Sequence, residues 1–143
     1  MNLSPHFTLQ ELTVTSTGLP NNPNTEQINN LKCLCNLLEQ LRSLLNKPIE
    51  VTSGFRSTKV NTAVKGAGNS YHLYGCAADI KEKGMTPYEV CVAIRDSGFD
   101  FDQCILEFDN WTHIGIKENN QGNRKQCLTI RSGTGYVSGI IKK

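Results

Sequence analysis

The chain has 143 residues, of which 38% are hydrophobic and 20% charged, with a formal charge of +2 at neutral pH. That length suits one domain able to bury about two-thirds of its unfolded surface without covalent staples. The lysines and arginines are scattered except at Lys142 and Lys143, which excludes a nucleic-acid-binding stripe. No apolar run approaches the length of a membrane-spanning helix. Met1 to Pro20 lacks the basic-then-apolar pattern of an export signal. The expectation is therefore a monomer made in the cytoplasm without a signal peptide. Cys33, Cys35, Cys76, Cys91, Cys104 and Cys127 include no C-x-x-C pair and read as free, mostly buried thiols.

His6 to Leu12 reads as an extended lead-in and a helical turn, with Thr8 capping and Glu11 closing a capping box. His6 suits a surface or packing role. Thr13 to Thr25 is a polar loop rich in Gly, Pro and Asn. Asn24 or Thr25 then caps a helix of about twenty residues whose stripe of Ile28, Leu31, Cys35, Leu38, Leu41 and Leu45 faces a core. With only about three heptads, a coiled-coil surface is the weaker reading. Asn46 and Pro48 end the helix. Ile49 to Ser53 is a short β run, and Gly54 to Ser57 is a turn that presents Arg56. Thr58 to Val64 reads as a short helix and Lys65 to Asn69 as a loop.

Ser70 to Asp79 holds His72 and Asp79, seven positions apart. On one helix that spacing separates them by roughly 10 Å. Zinc needs donors converging within roughly 3–3.5 Å of one another, at bond lengths of about 2.0–2.2 Å, so the chain must double back if both bind one ion. Gly75 and the small Cys76, Ala77 and Ala78 allow this. His72 is thus expected in a loop and Asp79 on a strand spanning Ala77 to Ile80. The bland alternative makes His72 a core histidine and Asp79 a turn or capping residue.

Thr86 caps a further helix through Arg95, with Pro87 at its first position and Gly98 past its end. Cys104 to Ile116 then reads as a hairpin around Asp109 and Asn110. A two-residue loop would put Glu107 and His113 on opposite faces and mix polar with apolar side chains. An odd-length loop, Asp109 to Trp111 or a five-residue one, pairs Glu107 with His113, Leu106 with Ile114 and Cys104 with Ile116. Gln103 is then either a strand-edge residue or one turned toward the site. Residues 118–143 form a C-terminal extension with two β runs, Cys127 to Arg131 and Gly135 to Ile141, expected at a sheet edge.

His72, Asp79 and His113 would make a three-ligand zinc site whose fourth position is left for water, the arrangement of a catalytic centre. Glu107 beside His113 would accept that water's proton. A cysteine nucleophile at Cys76 is the competing reading, without an evident orienting partner. A planar guanidinium such as Arg56 suits a substrate carboxylate or a developing oxyanion, and a surface ion pair equally well.

The order Ser70-x-His72, Asp79, Glu107 and Trp111-x-His113 resembles the zinc D-alanyl-D-alanine metallopeptidases, the superfamily that shares its fold with the hedgehog signalling domain. Ser53-Gly54-Phe55-Arg56-Ser57 and the segment His6 to Leu12 extend the resemblance over most of residues 6 to 117. It implies one zinc ion and hydrolysis of peptidoglycan stem peptides, by a D-Ala-D-Ala carboxypeptidase or an L-Ala-D-Glu type endopeptidase of phage or bacterial origin. Such an enzyme would reach the cell wall after release or export. The resemblance favours substrate as the partner of Arg56, and adds Ser53, Ser70, Gln103 and Trp111 as substrate-binding residues, with Ser57 nearby. The loop of residues 13–25 would pass close to the active-site groove. Many members carry the acidic base three residues before the last histidine, where this chain has Asn110. Glu107, six residues before it, matches the hedgehog-like arrangement, and Asp109 is the second candidate. The expected fold is α+β: a small antiparallel sheet carrying the zinc site, packed against two or three helices in one domain. The alternative function is a non-catalytic zinc-binding structural or wall-binding module of a phage particle.

Overall fold

Capping chemistry sets the ends of the helices throughout the chain, whose residues 1–143 are all described by a computed structural model. Strands β1 (Asn2–Ser4) and β2 (Phe7–Thr8) form a small antiparallel ribbon ahead of α1 (Leu9–Leu12). In α1 the Thr8 side chain accepts from the Glu11 amide and the Glu11 carboxylate accepts from the Thr8 amide, both at 3.1 Å. Helix α2 (Thr25–Leu45) begins with the same device between Asn24 and Gln27, and ends at Asn46 in the left-handed conformation, φ 54°. Of its expected stripe, Leu31, Cys35, Leu38 and Leu41 are fully buried, with Leu34 added beside them, while Ile28 and Leu45 are only partly buried against the core.

Strand β3 (Glu50–Ser53), helix α3 (Thr58–Ala63), a 3-10 turn at Tyr71–Tyr74 and strand β4 (Ala77–Lys81) follow, and then helix α4 (Pro87–Asp96). The last strands are β5 (Gln103–Glu107), β6 (Trp111–Gly115), β7 (Gln126–Arg131) and β8 (Gly135–Ser138). Six of the strands join in the order β3-β4-β6-β5-β7-β8. The α+β architecture is as expected, and in residues 118–143 β8 forms the sheet edge while β7 lies between it and β5. One pair departs from the antiparallel expectation. Residues 116–125 cross back along the sheet, so that β7 runs parallel to β5 with Gln103 beside Gln126.

Period-two alternation divides the sheet into two faces. Ala78, Ile80, Cys104, Leu106 and Ile114 point into one core together with the α2 leucines and Val90, Cys91 and Ile94 of α4. Asp79, Gln103, Ile105, Glu107, Trp111 and His113 take the opposite face, which opens on a cleft.

The hairpin register differs from the expected one by two residues. The loop is Phe108 to Asn110, so Ile105 rather than Glu107 faces His113, and Glu107 faces Trp111. Phe108 and Asp109 both adopt left-handed backbone, φ 55° and 56°, and the Asn110 amide donates to the Glu107 carbonyl at 3.0 Å. β7 fixes this turn in place: the Phe108 amide donates to Ile130 at 2.9 Å, and Arg131 holds both Asp109 carboxylate oxygens at 2.8 Å. An even shift leaves every side chain on its expected face, so Glu107 and His113 still share the cleft.

The reversal between His72 and Asp79 depends on Gly75. Its φ is +75°, and a Cβ there would lie 2.5 Å from the Gln27 carbonyl oxygen of α2. Gly75→Ala is expected to lower the unfolding free energy by about 2 kcal/mol or more, from left-handed strain and the backbone collision together. Urea unfolding followed by circular dichroism measures this.

Candidate metal centre

The 3-10 turn that carries His72 is capped by Ser70, whose hydroxyl accepts from the His72 amide at 3.2 Å. The imidazole is 3% exposed, and its Nδ1–H donates to the Gly54 carbonyl at 2.7 Å. That bond fixes the tautomer and leaves the Nε2 lone pair free. Gly54 must be glycine for its carbonyl to sit there, since a Cβ would lie 2.4 Å from the Leu12 carbonyl oxygen. Asp79 on β4 stands opposite His113 on β6, which puts both side chains on the cleft face.

Asp79 Oδ1 lies 3.3 Å from His72 Nε2 and 3.1 Å from His113 Nδ1. The two imidazole centroids are 5.2 Å apart. One donor atom from each of the three residues falls within 4.8 Å of the other two. Ligands at about 2.0–2.2 Å around a tetrahedral zinc ion stand roughly 3.3–3.6 Å apart, so this set of two nitrogens and one carboxylate oxygen fits zinc. The predicted ligands are thus brought together.

Burial alone would raise the Asp79 carboxyl, but the His113 hydrogen bond and the His72 ring beside it outweigh that and hold the group well below the usual carboxylate range. Burial lowers His72, which keeps its imidazole neutral as a ligand must be. Glu107 goes the other way: burial raises it, with the Asp79 charge adding to the effect. Its carboxylate is 3.7 Å from His113 Nδ1.

Arg56 Nη2 donates to Asp79 Oδ2 at 3.3 Å, Nε to Ser53 at 3.0 Å and Nη1 to Asn61 at 3.4 Å. Its guanidinium therefore orients the carboxylate ligand while two further N–H groups stay free. Ser53 does not line the cleft; its hydroxyl accepts from Arg56. Arg56, Ser70, Gln103, Glu107 and Trp111 do line it, in a volume of about 740 Å3. The indole Nε1 of Trp111 is buried without a hydrogen-bond partner. Ser57 caps α3 and donates to Pro20 at 2.9 Å, and His6 pairs with Glu39 at 2.8 Å. Asp109, engaged by Arg131, stays outside the cleft. Cys76 is 1% exposed and burial pushes its thiol up to about 12, which disarms it as a nucleophile.

Two parts of the site escape sequence reasoning. Asn61 links Arg56 to the loop of residues 65–69, donating to the Ala67 carbonyl at 2.9 Å. Asp102, fully buried, accepts from the Tyr71 hydroxyl at 2.8 Å and from Arg124 Nε and Nη2 at 2.9 and 2.8 Å. The Tyr71 ring packs over Gly115, where a Cβ would stand 3.2 Å from it, so this cluster braces the His72 turn against the His113 strand. Its only trace in the sequence is an aspartate beside phenylalanine at the start of an apolar run.

This chain matches the peptidase M15 family over residues 5–115. It belongs to that family. It is also similar to the zinc D-Ala-D-Ala carboxypeptidase of Streptomyces albus G, with 37% identity over 75 residues. That match covers 52% of this chain and 29% of the relative, so the chain spans less than a third of the relative's length. All three converging donors and Glu107 fall inside the M15 match, whereas Arg124, β7 and β8 lie beyond it.

His113→Ala should lose bound zinc, falling from about one ion per chain toward none by elemental analysis. Asp102 offers a second test. Burial works against its ionisation, but Arg124 and Tyr71 lower the carboxyl to about 2. A depressed folded-state pKa stabilises the protein above the unfolded value near pH 4, and that contribution disappears as pH falls toward 2. Asp102→Asn should therefore cost on the order of 2 kcal/mol at pH 7, with the deficit shrinking in unfolding titrations below pH 4.

Proposed function

We propose that the protein is a zinc metallopeptidase that hydrolyses peptidoglycan stem peptides, at a terminal D-Ala-D-Ala bond or an internal L-Ala-D-Glu type bond. The reading rests on one observation: three converging donors, His72, Asp79 and His113, share a cleft with a carboxylate 3.7 Å from His113. When bound, zinc supplies a Lewis acid that polarises the scissile carbonyl and brings water toward ionisation at neutral pH. Family membership and the Streptomyces albus G relative support the same chemistry.

Glu107 takes the proton of the attacking water and passes it to the leaving amine. Its raised pKa suits both halves of that task, since a base closer to neutrality is also the better acid in the second step. Asp79, held ionised, cannot compete for the role. Arg56 offers its remaining N–H groups to the substrate carboxylate while it steadies Asp79. Phage and bacterial sources both fit such an enzyme, which meets its substrate after release or export.

Glu107→Gln should keep its zinc yet lose turnover by about a hundredfold or more. Assays on purified muropeptides, with zinc content measured on the same sample, check both halves. Chelation should abolish cleavage and added zinc restore it. Cleavage that persists through complete zinc removal would reject the reading.

A further inference from the structure

The cleft does not stop at the metal ligands. Across the sheet, Arg56 lies at the β3 and β4 side, Asp79 and His113 sit on β4 and β6, and the same face continues over β5, β7 and β8. Glu107 is aligned with Ile130 and Ile130 with Tyr136, while Ile105 is aligned with Leu128 and Gln103 with Gln126. Gln103, Ile105, Gln126, Leu128 and Tyr136 all line the cleft. Neighbouring strands are about 4.8 Å apart, so β7 is roughly 10 Å and β8 roughly 14 Å from β6. An extended peptide advances about 3.3 Å per residue, so this shelf matches three or four residues laid across the strands.

The chemistry of the shelf suits a peptide. Gln103 Nε2 donates to Gln126 Oε1 at 2.9 Å, leaving Gln103 Oε1 and Gln126 Nε2 without a protein partner. One free acceptor and one free donor are what a peptide group requires. Ile105 and Leu128 give an apolar floor beside them. Tyr136 stands over the far end, 62% exposed, and partial burial with the Glu107 and Asp79 charges holds its phenol above the ordinary range. Its size and exposure have no role in the core.

We propose that Gln103, Ile105, Gln126, Leu128 and Tyr136 form a subsite for about three substrate residues on the amino side of the cleaved bond, with an apolar side chain over Ile105 and Leu128. The direction rests on the peptidase reading, in which Arg56 takes the carboxyl side. β7 and β8, outside the M15 match, would thus set how long a peptide this enzyme prefers.

The test uses the zinc-loaded full chain and a nested series of synthetic peptides, lengthened residue by residue on the amino side of the cleaved bond. In the unaltered protein kcat/KM should rise about tenfold or more along the series, chiefly through KM. Tyr136→Ala and Gln126→Ala should each reduce that rise to about threefold or less. Val137→Thr, on the opposite face of β8, should keep the full rise and so controls for loosening of the hairpin. An active enzyme indifferent to peptide length would overturn the subsite alone. So would an equal loss at every length in the Tyr136 and Gln126 variants, or a matching loss in Val137→Thr. A protein inert toward the whole series would overturn the peptidase reading and the subsite with it.

Discussion

A carboxylate buried among positive and polar partners governs this structure. Asp79 is 6% exposed, and an isolated charge at such depth is expensive unless it is paired and hydrogen-bonded. His72, His113 and Arg56 surround it at 3.3, 3.1 and 3.3 Å. Each partner arrives on a different element, and each element is itself held. The Gly54 carbonyl sets the ring of His72, β4–β6 pairing places His113, and Ser53 and Asn61 aim Arg56. Loss of any one support leaves the buried charge short of a partner.

The two acidic groups of the cleft face opposite electrostatics. Asp79 has donors on both oxygens and stays ionised. Glu107 sits beside that negative charge in a half-buried position and is held closer to neutral. Environment alone separates the ionisation of two otherwise similar side chains.

The convergence of His72, Asp79 and His113 was legible because coordination distances are short and the spacing from His72 to Asp79 forbids a single helix. Helix ends were legible from capping residues, and the α2 core stripe from its period. The hairpin faces followed from alternation, yet the register did not, because Arg131 and Ile130 decide where the loop falls and lie some twenty residues downstream. The parallel β5–β7 pair was hidden for the same reason: a crossover is a tertiary fact. Asp102 gave no local signal, since its partners Tyr71 and Arg124 come from distant segments. Ser53 looked like a cleft residue until Arg56 was seen to occupy its hydroxyl.

The position of β6 between β4 and β5 bears on how the molecule is made. Neither neighbour can complete its pairing until this strand has joined both, and the strand delivers the last of the three donors. His72 and Asp79 precede β6 in the chain, so the three donors come together only with the non-local pairing of strands, a slow class of contact. Until β6 is in place only two of these three donors can stand together, so the complete set is a product of the finished sheet.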